Sequence, residues 1–89
     1  MKVLKRSGKI EDFDLKKIQK SLECIAVSVE GLLTNSDISN LVSAISKKIT
    51  ESYTDQITYK EIRGVVTETL AKMGFSKVAK AYDEFQKSL

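Results

Sequence analysis

Seven basic side chains crowd the first twenty residues: Lys2, Lys5, Arg6, Lys9, Lys16, Lys17 and Lys20 stand against Glu11, Asp12 and Asp14. Residues 21–89 carry 8 basic and 9 acidic groups, so the excess behind the formal net charge of +3 lies at one end of the chain. Such asymmetry favours an anionic partner there, although a solvated basic surface would account for charge alone. The placement of Lys16 and Lys17 adds a physical tension. Both fall in the first turn of a predicted helix, where unpaired N–H groups already present partial positive charge. A cation there is unfavourable by about a few tenths of a kcal/mol. A bound anion would relieve it, and helix N-termini flanked by Lys or Arg are ready phosphate sites. A local preference that is broken in this way often marks function.

Other chemistries lack their residues. The chain has no His and one cysteine, Cys24, so there is no imidazole base, no internal disulfide and no zinc finger or ribbon. Neither GxxxxGK followed by Ser or Thr nor GxGxxG occurs. Glu51 and Asp55 have no partners in a metal-binding pattern. No catalytic residue and no metal ligand is expected, and the chain is not expected to be an enzyme. No apolar run approaches the roughly 18–20 residues of a membrane span. The basic N-terminus has no apolar stretch behind it, so it is not a secretory signal. With one cysteine, a reducing, cytoplasmic setting is expected.

The elements that must position the basic edge follow from period and caps. Apolar residues at 42% and charged residues at 30% are the balance of a soluble globular chain, and 89 residues suffice for one modest core. Residues 2–13 predict two short strands, Lys2–Arg6 and Lys9–Phe13, around a Ser7-Gly8 turn with Gly8 free to take positive φ. From the cap Asp14 the period becomes helical: Leu15, Ile18, Leu22, Ile25, Ala26 and Val29 share a face, to about Glu30 with Gly31 as the stop. Cys24 lies near the edge of that stripe and is expected to be a small buried side chain.

A second helix follows the cap candidates Asn35 and Ser36, with Ile38, Leu41, Val42, Ile45, Ile49 and Tyr53 as its stripe. The connection to the next helix leaves room for a short extended piece at Gln56–Thr58. Thr58-x-x-Glu61 has the form of a capping box. The third helix it opens is expected to bury Ile62, Val65, Val66, Leu70 and Met73 and to close at Gly74. Gly64 lies inside it, which close helix packing would explain. A fourth helix after Ser76 buries Val78, Ala79, Tyr82 and Phe85. The expected fold is α+β: one domain over residues 1–89, with an N-terminal β-hairpin capping a four-helix bundle.

On these residues the chain resembles a known family. Val3-x-Lys5-Arg6-x-Gly8-x-x-Glu11-x-Phe13-Asp14-x-x-Lys17-Ile18 is similar to the opening of the ATP-cone, the allosteric nucleotide-binding domain of many ribonucleotide reductases and of the zinc-ribbon repressor of their genes. Ile57-Thr58-x-x-Glu61-Ile62 with Val66 resembles the family's third-helix entry, and Val78-Ala79-x-Ala81-Tyr82-x-x-Phe85 its last helix. The resemblance implies binding of ATP or dATP, and in some members ADP, between hairpin and helices, with Mg2+ carried by the nucleotide. It further implies a response through changed oligomeric state or domain contacts. Carried onto this chain, it gives Lys5 and Arg6 to the phosphates. Glu11, Asp12, Phe13, Asp14 and Lys17 would wrap the nucleotide, with Lys17 a phosphate ligand, and Val3 and Ile18 would form apolar walls. Thr58 or Tyr59 would reach in from the third-helix entry, and Lys87 from the last helix.

Three positions depart from the pattern. The family often has Ser or Thr three residues before the Ile of the third helix, where Tyr59 stands here. It commonly has Arg just after the aromatic residue of the last helix, where Gln86 and Lys87 follow Phe85. Ser7 replaces a frequent Asp. Thr58 is explained equally by capping, and Tyr82 and Phe85 by the core. The expected module is freestanding or excised. Its partners would be an adenine nucleotide together with a second copy, a ribonucleotide reductase or a regulator protein, and no membrane. Two alternatives stay beside this reading: a module using the basic hairpin on a nucleic-acid backbone, and a plain interaction domain. No outward Arg, Asn or Gln recognition helix supports the former.

Overall fold

The computed structural model describes residues 1–28 and 33–87, and for 86 and 87 the backbone only. The order is β1 (Lys2–Leu4), β2 (Ile10–Asp12), α1 (Leu15–Ser28), α2 (Asn35–Ser52), β3 (Gln56–Thr58), α3 (Tyr59–Lys72) and α4 (Ser76–Lys87). The fold is α+β, a small sheet with four helices. The extended piece at Gln56–Thr58 is a true strand and makes the sheet three-stranded, in the order β2-β1-β3. β1 runs antiparallel to β2 and parallel to β3, with Val3 opposite both Glu11 and Ile57.

The strands are shorter than predicted because the turn claims more residues. The Gly8 amide donates to the Lys5 carbonyl at 3.0 Å, and the Lys5 amide to the Lys9 carbonyl at 2.8 Å. Gly8 takes φ of +87°, as the left-handed residue of a three-residue hairpin loop requires.

Three of the helices are opened by a capping side chain just ahead of them. Asp14 caps α1, its Oδ1 accepting from the Lys16 amide at 3.0 Å. The α1 terminus expected at Glu30–Gly31, and Val29 of its stripe, lie outside the described residues. α2 is capped by Thr34, not by Asn35 or Ser36: Thr34 Oγ1 accepts from the Asp37 amide, and the Asp37 carboxylate accepts from the Thr34 amide. This is a capping box with Asp in the place usually filled by Glu or Gln, which hides it from the usual pattern. Thr58 and Glu61 make the predicted box on α3. Glu61 is held below its ordinary pKa by the Thr58 backbone amide and, secondarily, by the Thr58 and Tyr53 hydroxyls. α3 closes on Gly74 at φ +87°, with Gly74 N donating to Ala71 O and Phe75 N to Leu70 O, a Schellman arrangement.

The core is Val3 and Ile57 from the sheet with Ile18, Leu22, Ile25, Ile38, Leu41, Ile45, Ile49, Val65, Val66, Leu70, Val78 and Tyr82 from the helices. Ile62, Ala79, Val42 and Tyr53 pack at its edge, half-buried. Phe85, expected in the core, is only half-buried, and three further expectations fail. Cys24 is exposed, because it lies two residues from Leu22 and so projects from the opposite side of α1. Met73 is exposed because it is the C-cap of α3, past the last turn that faces the core. At Gly64 an added Cβ would meet nothing within 4 Å, so close packing does not explain it. Gly64→Ala should therefore stabilise the fold by about 1 kcal/mol. Thermal melting should show a rise of about 4–8 °C.

Candidate functional site

Where hairpin and helices meet, the chain leaves a cleft of ≈ 220 Å³. β1 contributes Val3, and Lys5 follows at its end. β2 and the link to α1 contribute Glu11, Asp12, Phe13 and Asp14. The first two turns of α1 bring Lys17, Ile18 and Ser21, and α3 brings Tyr59 and Ile62 from the β3 junction. Tyr82 of α4 lies beneath, 3% exposed, and burial pushes its phenol up to about 12, so it is a neutral floor. The apolar lining is Val3, Phe13, Ile18 and Ile62; the charged lining includes Lys5, Glu11 and Lys17.

Those two ammonium groups converge on one carboxylate oxygen. Glu11 Oε2 is 2.8 Å from Lys17 Nζ and 3.4 Å from Lys5 Nζ. The geometry answers the tension posed by a lysine in the first turn of a helix. Glu11 and Asp14 supply the negative charge within the chain, and Asp14 occupies the Lys16 amide. An anion entering the cleft would meet ammonium groups rather than bare helix amides. On the outer face of the sheet Lys2 pairs with Asp12 and lowers its pKa.

Glu11 is held below its ordinary 4.5 by Lys17 first and Lys5 second, and Lys17 is raised above 10.5 by Glu11. A carboxylate with a lowered folded-state pKa adds stability above its unfolded pKa, and that stability is lost as pH falls through the folded value. Melting temperature should therefore fall as pH drops below about 4.5, the ordinary carboxyl value. Glu11→Gln should flatten that acid limb. Because the groups are solvent-exposed, the stability at stake is small, so both the flattening and the change in neutral-pH melting temperature should be modest.

Of the expected site residues, Val3, Lys5, Glu11, Asp12, Phe13, Asp14, Lys17, Ile18 and Tyr59 line this cleft. Arg6 stands at its edge, its guanidinium carbon 5.6 Å from the centroid of the Tyr59 ring. Thr58 does not line the cleft; its hydroxyl accepts from the Glu61 amide at 3.2 Å and serves the cap of α3. The side chain of Lys87 lies outside the described residues. Ser21, Ile62 and Tyr82 line the cleft without having been singled out for it. Ser21 follows Lys17 by one helical turn, and Ile62 lies one residue past the capping box, so spacing offered a signal for both. Tyr82 was masked by its place in the core stripe. Among the described residues, no three His, Cys, Asp or Glu side chains come together to hold a metal ion, and no helix is long and apolar enough to cross a membrane.

Residues 1–87 match the family model of the ATP cone domain. The curated proteins give no significant match.

Proposed function

The chain belongs to the ATP-cone family, and on that premise we propose that it senses adenine nucleotides, binding ATP or dATP in the hairpin–helix cleft and answering with a change in association. An ATP-cone is a regulatory nucleotide-binding module and performs no catalysis. The observation that carries the specific reading is the junction of two kinds of wall in one cleft. Val3, Phe13, Ile18 and Ile62 offer an apolar slot for a base, and Lys5 and Lys17 converge beside it.

A cleft of ≈ 220 Å³ is below the roughly 300–1,000 Å³ of pockets that enclose a drug-sized ligand. On this reading the base and sugar occupy the slot, and the phosphates run along the turn toward Lys5, Arg6 and Lys17; the family pattern adds Lys87 as a further phosphate contact. Glu11 must then yield its lysines to the phosphates or share them. Mg2+ would be carried by the phosphate oxygens of the nucleotide, as Mg2+ commonly is. ADP is the third candidate ligand.

The cleft draws on β1, β2, α1, α3 and α4, so occupancy can bias how hairpin and helices are presented to a partner. Ligand shifts such an equilibrium only by its differential affinity for the two states. The partner on this reading is a second copy, a ribonucleotide reductase or a regulator protein, in the cytoplasm where the nucleotide pool lies. Sedimentation with saturating ATP, dATP or ADP plus Mg2+ tests the response: the mass should change with at least one of them and not equally with all. An unchanged mass in all three, with binding present, would remove the association step from the reading.

A further inference from the structure

Arg6 occupies the exposed tip of the hairpin turn, on a long, rotamer-rich side chain. Tyr59 is the first residue of α3, half-buried, on backbone fixed by the Thr58–Glu61 capping box. The parallel register sets Leu4 opposite Thr58, so the chains leaving β1 and entering α3 emerge side by side. The guanidinium consequently lies over the Tyr59 ring, 5.6 Å from its centroid, and the same tyrosine lines the cleft. A guanidinium within about 6 Å of an aromatic face is attracted by the ring quadrupole.

We propose that Tyr59 is a positioning residue for Arg6, its ring holding the guanidinium at the mouth of the cleft so that the charge is in place before a phosphate arrives. A guanidinium held there brings to the mouth of the cleft the planar fork by which Arg binds phosphate. Pre-ordering the side chain lowers the entropy lost on binding. The inference deepens the nucleotide reading and rests on it. It gives Tyr59 an indirect role, through Arg6, in place of direct contact with the base.

Calorimetric titration with MgATP on wild type, Tyr59→Leu, Tyr59→Phe, Arg6→Ala and the Arg6→Ala/Tyr59→Leu double variant tests it. Leucine keeps apolar bulk and removes the ring face; phenylalanine keeps the face. Tyr59→Leu should weaken binding by about 2- to 5-fold, the value of an exposed cation–π contact. Tyr59→Phe should restore it. In the Arg6→Ala background Tyr59→Leu should cost nothing further. A full loss from Tyr59→Leu in that background would overturn the proposal and place Tyr59 against the ligand itself. Wild-type affinity in Tyr59→Leu would also overturn it, with the nucleotide reading intact. Absence of binding by wild type would bring down both.

Discussion

Replacing Lys5 and Lys17 together by alanine should weaken MgATP binding by about 100-fold or more while leaving the fold intact. The size follows from the bond type. A hydrogen bond to a charged group contributes about 1.5–3 kcal/mol, so two ammonium–phosphate contacts account for about two to four powers of ten. Stability should hardly move, because the pairs these lysines make with Glu11 lie at the surface, where such pairs contribute about 0–1 kcal/mol. The separation of the two readouts is the point of the test. Calorimetry should show the loss of affinity, and circular dichroism an unchanged melt within a few degrees. A double variant that binds as wild type would remove both lysines from the site.

The second large effect is on stability. Ile57 is 0% exposed and sits in β3, against Val3 of the central strand and the helical core. Ile57→Ala should cost about 2–5 kcal/mol through lost burial and the cavity left behind. A domain of this size has only about 4–13 kcal/mol of stability in total. The melting temperature should therefore fall by roughly 10–30 °C. β3 also leads directly into Tyr59 and Ile62, so saturating nucleotide should recover part of the loss by mass action. Ile10→Ala, at a residue 60% exposed on the edge strand, is the control and should stay within about 0.5 kcal/mol of wild type. A melt of Ile57→Ala within 3 °C or so of wild type, less than a 1 kcal/mol loss produces, would show that β3 is not an integral part of the core.

Much of this arrangement is legible from local rules. The four helices announce themselves by period, and Asp14, the Thr58–Glu61 box and Gly74 mark boundaries through the hydrogen bonds they make. The hairpin follows from Ser7-Gly8 because only a residue tolerant of positive φ closes that loop. What escaped lies where local rules are silent or compete. The parallel pairing of β1 with β3 is a contact across more than fifty residues, which three-residue strands do not advertise. The Thr34 cap escaped because Asp37 does the work of the expected Glu. Cys24 lies at the edge of the stripe, where period alone does not decide burial, and a two-residue step from Leu22 turns it to solvent. Gly64 remains a helix-interior glycine with open space at its Cα, and nothing in the structure explains it.

The cleft divides in the same way. Its basic and apolar residues from 3 to 18 were readable because they are close in sequence and belong to one motif. Tyr59 was readable as a departure from the family pattern, but not its partner: the position of Arg6 over its ring depends on the β1–β3 register. Tyr82 belongs to core and cleft at once, and a helical stripe reveals only the former. Thr58 serves the cap of α3, whereas Tyr59 lines the cleft.

The central claim is that this cleft takes an adenine nucleotide. Calorimetric titration of the wild-type chain with ATP, dATP and ADP, each with Mg2+, tests it most directly, with a thermal melt at saturation beside it. One nucleotide per chain should bind with sub-millimolar affinity for at least one of the three. At a hundredfold excess over the dissociation constant the fold should gain about 2.7 kcal/mol, a rise in melting temperature of roughly 10–20 °C. No heat of binding and no thermal shift with any of the three would contradict the claim.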